Sequence, residues 1–303
     1  MRIPLSLAWK VNERLRLGAS LDVTSASVNL ASLLDAQQVG ALIQAGRATG
    51  SLVPLLAGVP DLSGAHFDFV RNDPINSELA AWGVAGRLGL SYQLDARTVM
   101  AAAYEFETAL RDLKGDGQLT AVDKNNNHIV LAGKGSLPAF QFPQSFTIGI
   151  SHRLKPTLAL TADLRRTMWA QTLANTEVRF RTANGDDLRV VLPTGFNNMT
   201  TLTLGSEWQF KPQWTWRLGG SHSFQPTIPG NYLSGSFPTL SDNHVATNLS
   251  YTSSSRRHQF DAGLSVGFAA PVVRSKGGQV NSIPPIEGRN RQITPVVGYS
   301  YHF

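Results

Sequence analysis

Leu15-Arg16-Leu17-Gly18-Ala19-Ser20-Leu21-Asp22-Val23-Thr24 decides the fold. Leu15, Leu17, Ala19, Leu21 and Val23 fall on one side of an extended chain, and Arg16, Gly18, Ser20, Asp22 and Thr24 fall on the other. Strict alternation of this kind marks a strand with one apolar and one polar face. Upstream, across a turn at Asn12-Glu13, Ile3, Leu5, Leu7, Trp9 and Val11 oppose Pro4, Ser6, Ala8 and Lys10.

Downstream the same period recurs. Trp82, Val84, Leu88, Leu90 and Tyr92 alternate with Arg87, Gly89 and Ser91; Met100, Ala102, Tyr104 and Phe106 alternate with Glu105 and Glu107. Phe146, Ile148 and Ile150 begin a further strand, and Leu158, Leu160, Ala162 and Leu164 face away from Thr161, Asp163 and Arg165. Leu202, Leu204, Trp208 and Phe210 oppose Glu207; Trp214, Trp216 and Leu218 oppose Arg217. Val245, Leu249 and Tyr251 follow, then Phe260, Leu264, Val266 and Phe268 against Asp261, and last Val297, Tyr299, Tyr301 and Phe303. The count is eleven strands.

The connections sort by length. Short turns sit at Asn12-Glu13, Asp95-Ala96, Lys155-Pro156, Lys211-Pro212 and Ser254-Ser255. Long excursions occupy about 31–80, 113–143, 171–197, 225–242 and 269–290. Tight turns at one end and long loops at the other describe an all-β, transmembrane antiparallel β-barrel of outer-membrane type, with the turns periplasmic and the loops extracellular. Aromatic residues gather in two girdles: Trp9, Tyr92, Phe210, Trp214, Tyr301 and Phe303 near the turns, and Trp82, Phe106, Phe146, Trp169, Phe224 and Phe268 near the loops. An Arg or Lys on the lipid face at mid-membrane costs roughly 2–4 kcal/mol. Arg16, Asp22, Arg87, Glu105, Asp163, Arg165, Glu207, Arg217 and Asp261 are therefore expected in the lumen, and all lie on the polar register.

Composition agrees. Charged residues make up 16% of the 303, below the roughly 25% of soluble globular chains. Cysteine is absent, and no apolar run approaches the ~18 residues of a membrane helix. Disulfide-framework, zinc–cysteine and helical-membrane classes are thereby excluded. The net charge of +6 is scattered along the chain, so no nucleic-acid partner is expected. Met1 to Lys10 has no small-residue cleavage site and reads as a strand already under way. Bacterial single-chain barrels have even strand numbers, and an open edge in lipid strands backbone polar groups. The expectation is one β-barrel domain over 1–303, the C-terminal portion of a longer barrel.

Several motifs resemble the FadL family of outer-membrane transporters for long-chain fatty acids and other hydrophobic compounds. The resemblance is carried by Leu137-Pro138-Ala139 leading into Pro143-Gln144-Ser145-Phe146, by Leu204-Gly205-Ser206-Glu207-Trp208, and by Trp214-Thr215-Trp216-Arg217-Leu218-Gly219. Gln225-Pro226 and Phe237-Pro238-Thr239-Leu240-Ser241-Asp242-Asn243-His244 extend it, and Gly298-Tyr299-Ser300-Tyr301-His302-Phe303 resembles a general outer-membrane assembly signal. The resemblance implies a barrel of about fourteen strands, so that a signal peptide, an N-terminal hatch and about three strands are expected beyond this chain. It implies passive outer-membrane transport of hydrophobic compounds, foremost long-chain fatty acids, by a Gram-negative monomer without cofactor. Implied partners are outer-membrane lipid, lipopolysaccharide and the barrel-assembly machinery, the last through the C-terminal strand. A diffusion porin for polar solutes and a structural or adhesive surface barrel are the alternatives.

Within 31–80, Ser32-Leu33-Leu34-Asp35 fits a capping box with Ser32 as N-cap, and Gly46 or Gly50 can end the helix. Leu34, Val39, Leu42, Ile43, Leu52 and Leu55 make the segment apolar. It either forms a ligand-capture groove with 113–143, as the resemblance implies, or plugs the barrel mouth. Arg165 and Arg217 either receive a substrate carboxylate or belong to an ion-pair network with Asp163, Glu207 and Asp261. Other chemistry falls away. Asp123-Lys124-Asn125-Asn126-Asn127-His128 lacks the Gly and Glu of a calcium loop and reads as an exposed turn. Gly133-Lys134-Gly135-Ser136 lacks phosphate-loop spacing, and Asn184-Gly185 is a hairpin turn. His152 lies by a turn and His222 has no apparent partner, so no enzyme is expected.

Overall fold

The computed structural model describes residues 1–73, 76–224, 241–268, 272–273, 287–288 and 291–301. The chain runs β1 (Arg2–Lys10), β2 (Leu15–Val28), β3 (Leu30–Asp35), α1 (Ala36–Gln44), β4 (Ala48–Thr49), α2 (Val53–Ala57), β5 (Leu62–Phe69) and β6 (Leu79–Gln93). It continues through β7 (Thr98–Glu105), β8 (Ala109–Leu110), β9 (Leu113–Asp123), β10 (His128–Leu137), β11 (Ser145–Lys155) and β12 (Leu158–Thr167). There follow α3 (Trp169–Leu173), β13 (Asn175–Thr182), β14 (Asp187–Pro193), β15 (Met199–Lys211), β16 (Trp214–Ser223), β17 (Asn243–Thr252) and β18 (His258–Phe268). The two-residue β19 (Val272–Val273) and β20 (Glu287–Gly288) pair with each other before β21 (Arg291–Tyr301). Gln225-Pro226, Phe237 to Leu240 and His302-Phe303, which contribute to the family resemblance, lie outside the described residues.

Eleven strands form an antiparallel wall in the order β1-β2-β6-β7-β11-β12-β15-β16-β17-β18-β21. These are the eleven alternating stretches of the sequence. The register keeps apolar residues together: Leu21 faces Leu5, Leu90 faces both Leu17 and Ala102, and Leu164 faces Ile148 and Leu202. Directly opposed residues point to the same side of a sheet, so one outward register runs around the wall, with Leu5, Leu21, Trp82, Leu88, Leu164 and Leu204 all exposed.

All five expected short turns close wall hairpins. The Asn12 side-chain oxygen accepts from the backbone of Arg14 and Leu15 at 2.9 and 2.8 Å. That of Asp95 accepts from Arg97 and Thr98 at 2.7 and 2.9 Å. Such side-chain acceptors replace the missing backbone partners of a tight turn. At the opposite end the aromatics Trp82, Phe106, Phe146, Phe224 and Phe268 are exposed on the wall. Trp169 is the exception, lying in α3 against Phe196 with ring centroids 5.7 Å apart.

Three of the long excursions, 31–80, 113–143 and 171–197, hold much ordered sheet, which the sequence pattern left unread, and those at 225–242 and 269–290 lie almost wholly outside the described residues. Strands from the first three combine into a rim sheet, β3-β5-β9-β10-β13-β14-β4. Its inner face holds a core in which Phe69, Leu79, Leu113, Val178 and Phe180 are at most 1% exposed. The hairpin turn at Asn184-Gly185 is present, with Gly185 at φ +93°. Asp123 to Asn127 forms the β9–β10 turn, where the Asp123 carboxylate accepts from the Asn127 backbone and amide at 2.8 and 2.7 Å.

The helix boundary requires a correction. Ser32 is not an N-cap; it lies inside β3, paired with Phe67 of β5. Asp35 is the cap: its Oδ1 accepts from the Gln38 backbone at 2.8 Å, and the Gln38 side chain accepts from the Asp35 backbone at 2.9 Å. Both tetrads satisfy the capping pattern, but the β5 ladder already holds residues 30–35, so a helix starts only where that ladder ends. Gly46, at φ +64°, terminates α1; the backbone N–H of Arg47 then reaches the Leu42 carbonyl at 2.8 Å.

Candidate functional site

Two places combine the expected residues: the inner side of the wall and the rim. On the inner side, Glu105 of β7 collects three guanidiniums. Arg87 of β6 and Arg165 of β12 pair with it directly, and Arg2 of β1 stands 3.9 Å away. Ser145 of β11 donates to Glu105 at 2.9 Å and accepts from Arg165 at 3.0 Å. Arg2 also lies 3.7 Å from Asp22 of β2. The cluster joins six neighbouring strands at the rim half of the wall.

A second cluster lies toward the short turns. Arg217 of β16 donates to Glu207 of β15 at 2.7 Å and to Ser250 of β17 at 2.6 Å, and stands 3.9 Å from Asp261 of β18. Gln259 donates to Asp261 at 2.9 Å. Every charged member comes from the polar register, so the expected lumen placement holds for both clusters. The expected network for Arg217 is present with Glu207 and Asp261. Arg165 differs: it pairs with Glu105 rather than Asp163. The alternation placed Glu105 in the lumen but gave no sign that three arginines would converge on it.

In the rim, Val39 and Leu52 are 5% and 4% exposed and belong to its core. Leu34, Leu42 and Ile43 are half-buried against that same core, while Leu55 of α2 is 42% exposed. Charges decorate the outer face. Glu177 of β13 holds Arg179 at 2.6 Å and Arg189 of β14 at 2.7 Å. The Arg189 hydrogen bond, then that of Arg179, keeps the Glu177 carboxyl below its ordinary range against the opposing effect of burial. Lys134 bridges to Asp116 at 2.6 Å. Next to the outer face is a concavity of about 790 Å³, lined among others by Asp68, Glu78, Asp116, Lys134 and Arg181. His222, which showed no partner in the sequence, shares a 2.8 Å hydrogen bond with Asn243. No group of three or more metal-ligating side chains occurs among the described residues.

An antiparallel wall with an apolar outer register, a charged inner register and a packed rim at one end defines a membrane-spanning β-barrel. The family model described as outer membrane protein transport protein (OMPP1/FadL/TodX) matches residues 1–298, and the chain belongs to that family. It is a β-barrel of the Gram-negative outer membrane. It is 24% identical over 290 residues to a long-chain fatty acid transport protein of Escherichia coli O6:H1, covering 88% of this chain but 57% of that protein. The chain thus spans little more than half the length of this relative. Among solved structures, the Pseudomonas putida toluene transporter TodX superposes with a TM-score of 0.85 at 29% identity, covering 100% of this chain and 69% of TodX. The CymD monoaromatic hydrocarbon channel gives a TM-score of 0.81 at 30% identity, covering 100% of this chain and 72% of CymD.

Proposed function

We propose that the protein passes hydrophobic compounds across the outer membrane by passive diffusion, and that small uncharged hydrocarbons are preferred over long-chain fatty acids. The observation that carries the preference is the state of Arg165 and Arg217, the lumen arginines expected to receive a carboxylate. Arg165 is held by Glu105, and Arg217 by Glu207 and Asp261. A fatty-acid carboxylate would have to share either guanidinium with a fixed carboxylate that already offsets its charge, and so gains less than at an unpaired arginine. A hydrocarbon makes no such demand. The likeness to a toluene transporter and a monoaromatic channel, at 29–30% identity, supports the same reading. Fatty acids are the second reading, favoured by the E. coli relative.

On this reading residues 1–303 work as one barrel unit, monomeric and without cofactor or enzymatic activity. Leu34, Leu42, Ile43 and Leu55 offer the first apolar surface to the ligand, and Val39 and Leu52 hold that surface in place. The aromatic C-terminal strand is what the barrel-assembly machinery recognises.

The test is competitive uptake by cells carrying the complete reading frame, with labelled toluene and labelled oleate. Faster toluene entry that excess oleate leaves unchanged is expected. Oleate entry alone would install the fatty-acid reading, and entry of polar solutes alone would overturn both.

A further inference from the structure

Residues 36–60 leave the rim sheet and return to it at one place. β3 and β5 pair from Leu30 with Phe69 to Asp35 with Gly64, and α1, β4 and α2 form the excursion beyond that last pair. This side is firmly attached. Asp35 caps α1, and the Asp61 carbonyl accepts from the Lys124 backbone at 3.0 Å. Between Leu62 and Gly64 the β5–β9 ladder holds one extra residue, Ser63, a bulge at which the strand can bend.

The far side is held differently. Ala48 and Thr49 of β4 pair with Val190 and Arg189 of β14. The Val191 N–H donates to the Arg47 carbonyl at 2.8 Å, and the Leu52 N–H to the Asp187 carbonyl at 3.0 Å. Ser51 completes the latch: its Oγ accepts from the Asp187 backbone at 2.9 Å, and its N–H donates to Asp187 Oδ1 at 3.2 Å. Thr49, Ser51 and Asp187 are exposed, so water can replace these bonds with little net loss.

Between the two sides the contact is apolar. Val39 of α1, with Leu52 and Leu56 at α2, is buried in one core with Phe67, Leu188 and Val190. Opening these faces to water is costly, whereas a hydrocarbon entering between them keeps both faces dry. A polar solute cannot. A ligand shifts an equilibrium only through its differential affinity for the two states, and here only a hydrophobic ligand favours the raised one.

We propose that residues 36–60 form a flap that lifts at the Ser51–Asp187 latch, turns about Asp35 and Gly64, and admits the hydrophobic ligand between α1–α2 and β14. The proposal rests on the transport reading and supplies its moving part.

The chain has no cysteine, so a disulfide can lock the latch without competing thiols. Thr49 and Arg189 are directly opposed, and the Cα separation of about 4.5–5.5 Å in antiparallel pairs suits a disulfide. In the complete protein carrying T49C/R189C, the oxidised form is expected to admit toluene at about a tenth of the reduced rate or less, with dithiothreitol restoring entry. Q118C/A132C, opposed in β10 and β9, locks the rim sheet away from the flap and should leave uptake unchanged in either state. Equal uptake by oxidised and reduced T49C/R189C, with the disulfide confirmed by mass, would overturn the flap and leave transport standing. An equal loss in oxidised Q118C/A132C would assign the effect to rim stiffness and overturn it likewise. Amide exchange tests the flap without uptake, because a segment that opens locally exchanges ahead of its surroundings. The Leu52 and Val191 N–H groups should exchange roughly tenfold faster than the β9–β10 ladder, and faster again in toluene-saturated buffer. Exchange as slow as the ladder's would overturn the proposal even in a protein that carries no toluene.

Discussion

The ring of Phe69 occupies the space that a side chain at Gly117 would need: a Cβ there would stand 2.1 Å from Cδ1 of the ring. Phe69 is completely buried, and the same ring excludes a Cβ at Gly135, at 2.3 Å. In β9 and β10, Gly117 faces Gly133 and Gly115 faces Gly135. The rim core is thus seated on a glycine floor, with Phe69 and Phe180 lying where side chains would otherwise project. Gly117→Val is expected to cost roughly 1–3 kcal/mol by overpacking, loosening the rim while leaving the wall intact. Limited trypsin digestion should then cut faster at Lys114, Lys124 and Lys134, with heat-modifiable gel mobility unchanged. A rim as resistant as before would show that the ring can move aside.

The apolar residues of 31–80 separate by exposure, and their variants should separate likewise. Leu52→Ala removes a core side chain and is expected to cost about 2–5 kcal/mol, seen as lost rim protection together with lost uptake. Leu55→Asp alters an exposed position, so stability should hold within about 0.5 kcal/mol while hydrophobic uptake falls several-fold. If Leu55→Asp leaves uptake untouched, that side chain has no part in receiving the ligand.

The wall was legible because lipid and lumen impose opposite chemistry on alternate residues, leaving a period-two trace in each strand. The rim carries no such trace. Lys114-Gly115-Asp116-Gly117 and Gly133-Lys134-Gly135 read as loop because glycine and aspartate are poor strand formers. Their pairing is long-range besides: β5 meets β9, β10 meets β13 and β14 meets β4, each across separate excursions. Ser32 misled for a related reason, since its local pattern fits a cap and only the partner strand decides otherwise. In the lumen the sequence supplied the register of the clustered charges and the network of Arg217, but not the partner of Arg165. Arg165 finds Glu105 sixty residues away, and that choice depends on strand order.

Arg217 offers a direct test of the lumen reading. Its side chain is 42% exposed and that of Glu207 54%, so the pair lies within reach of water and contributes about 0.2–1 kcal/mol. Arg217→Leu is expected to lower the urea midpoint of the folded barrel slightly and to leave toluene uptake near its original rate. A selective loss of oleate uptake in this variant would assign the guanidinium to a substrate carboxylate and revive the fatty-acid reading.

Glu177 ties β13 to β14 through Arg189, with Arg179 of its own strand on its other oxygen, and its lowered folded pKa gives the rim a dependence on acid. A carboxylate whose folded value lies below the unfolded one stabilises fully above the ordinary glutamate value of about 4.3. That contribution is lost as pH falls from there through the lowered folded value. Its size is about 1 kcal/mol or less, because both arginines are half in solvent. Amide exchange in β13 and β14 should therefore accelerate on acidification below the ordinary glutamate range and stay constant above it. Asp116 and Asp123 are lowered too, by hydrogen bonds from Lys134 and Asn127 respectively. Glu177→Gln separates the effects: exchange in β13 and β14 should already be faster at neutral pH and change less on acidification, whereas the β9–β10 turn keeps its original response. Identical acid profiles in the two proteins would remove Glu177 as the source.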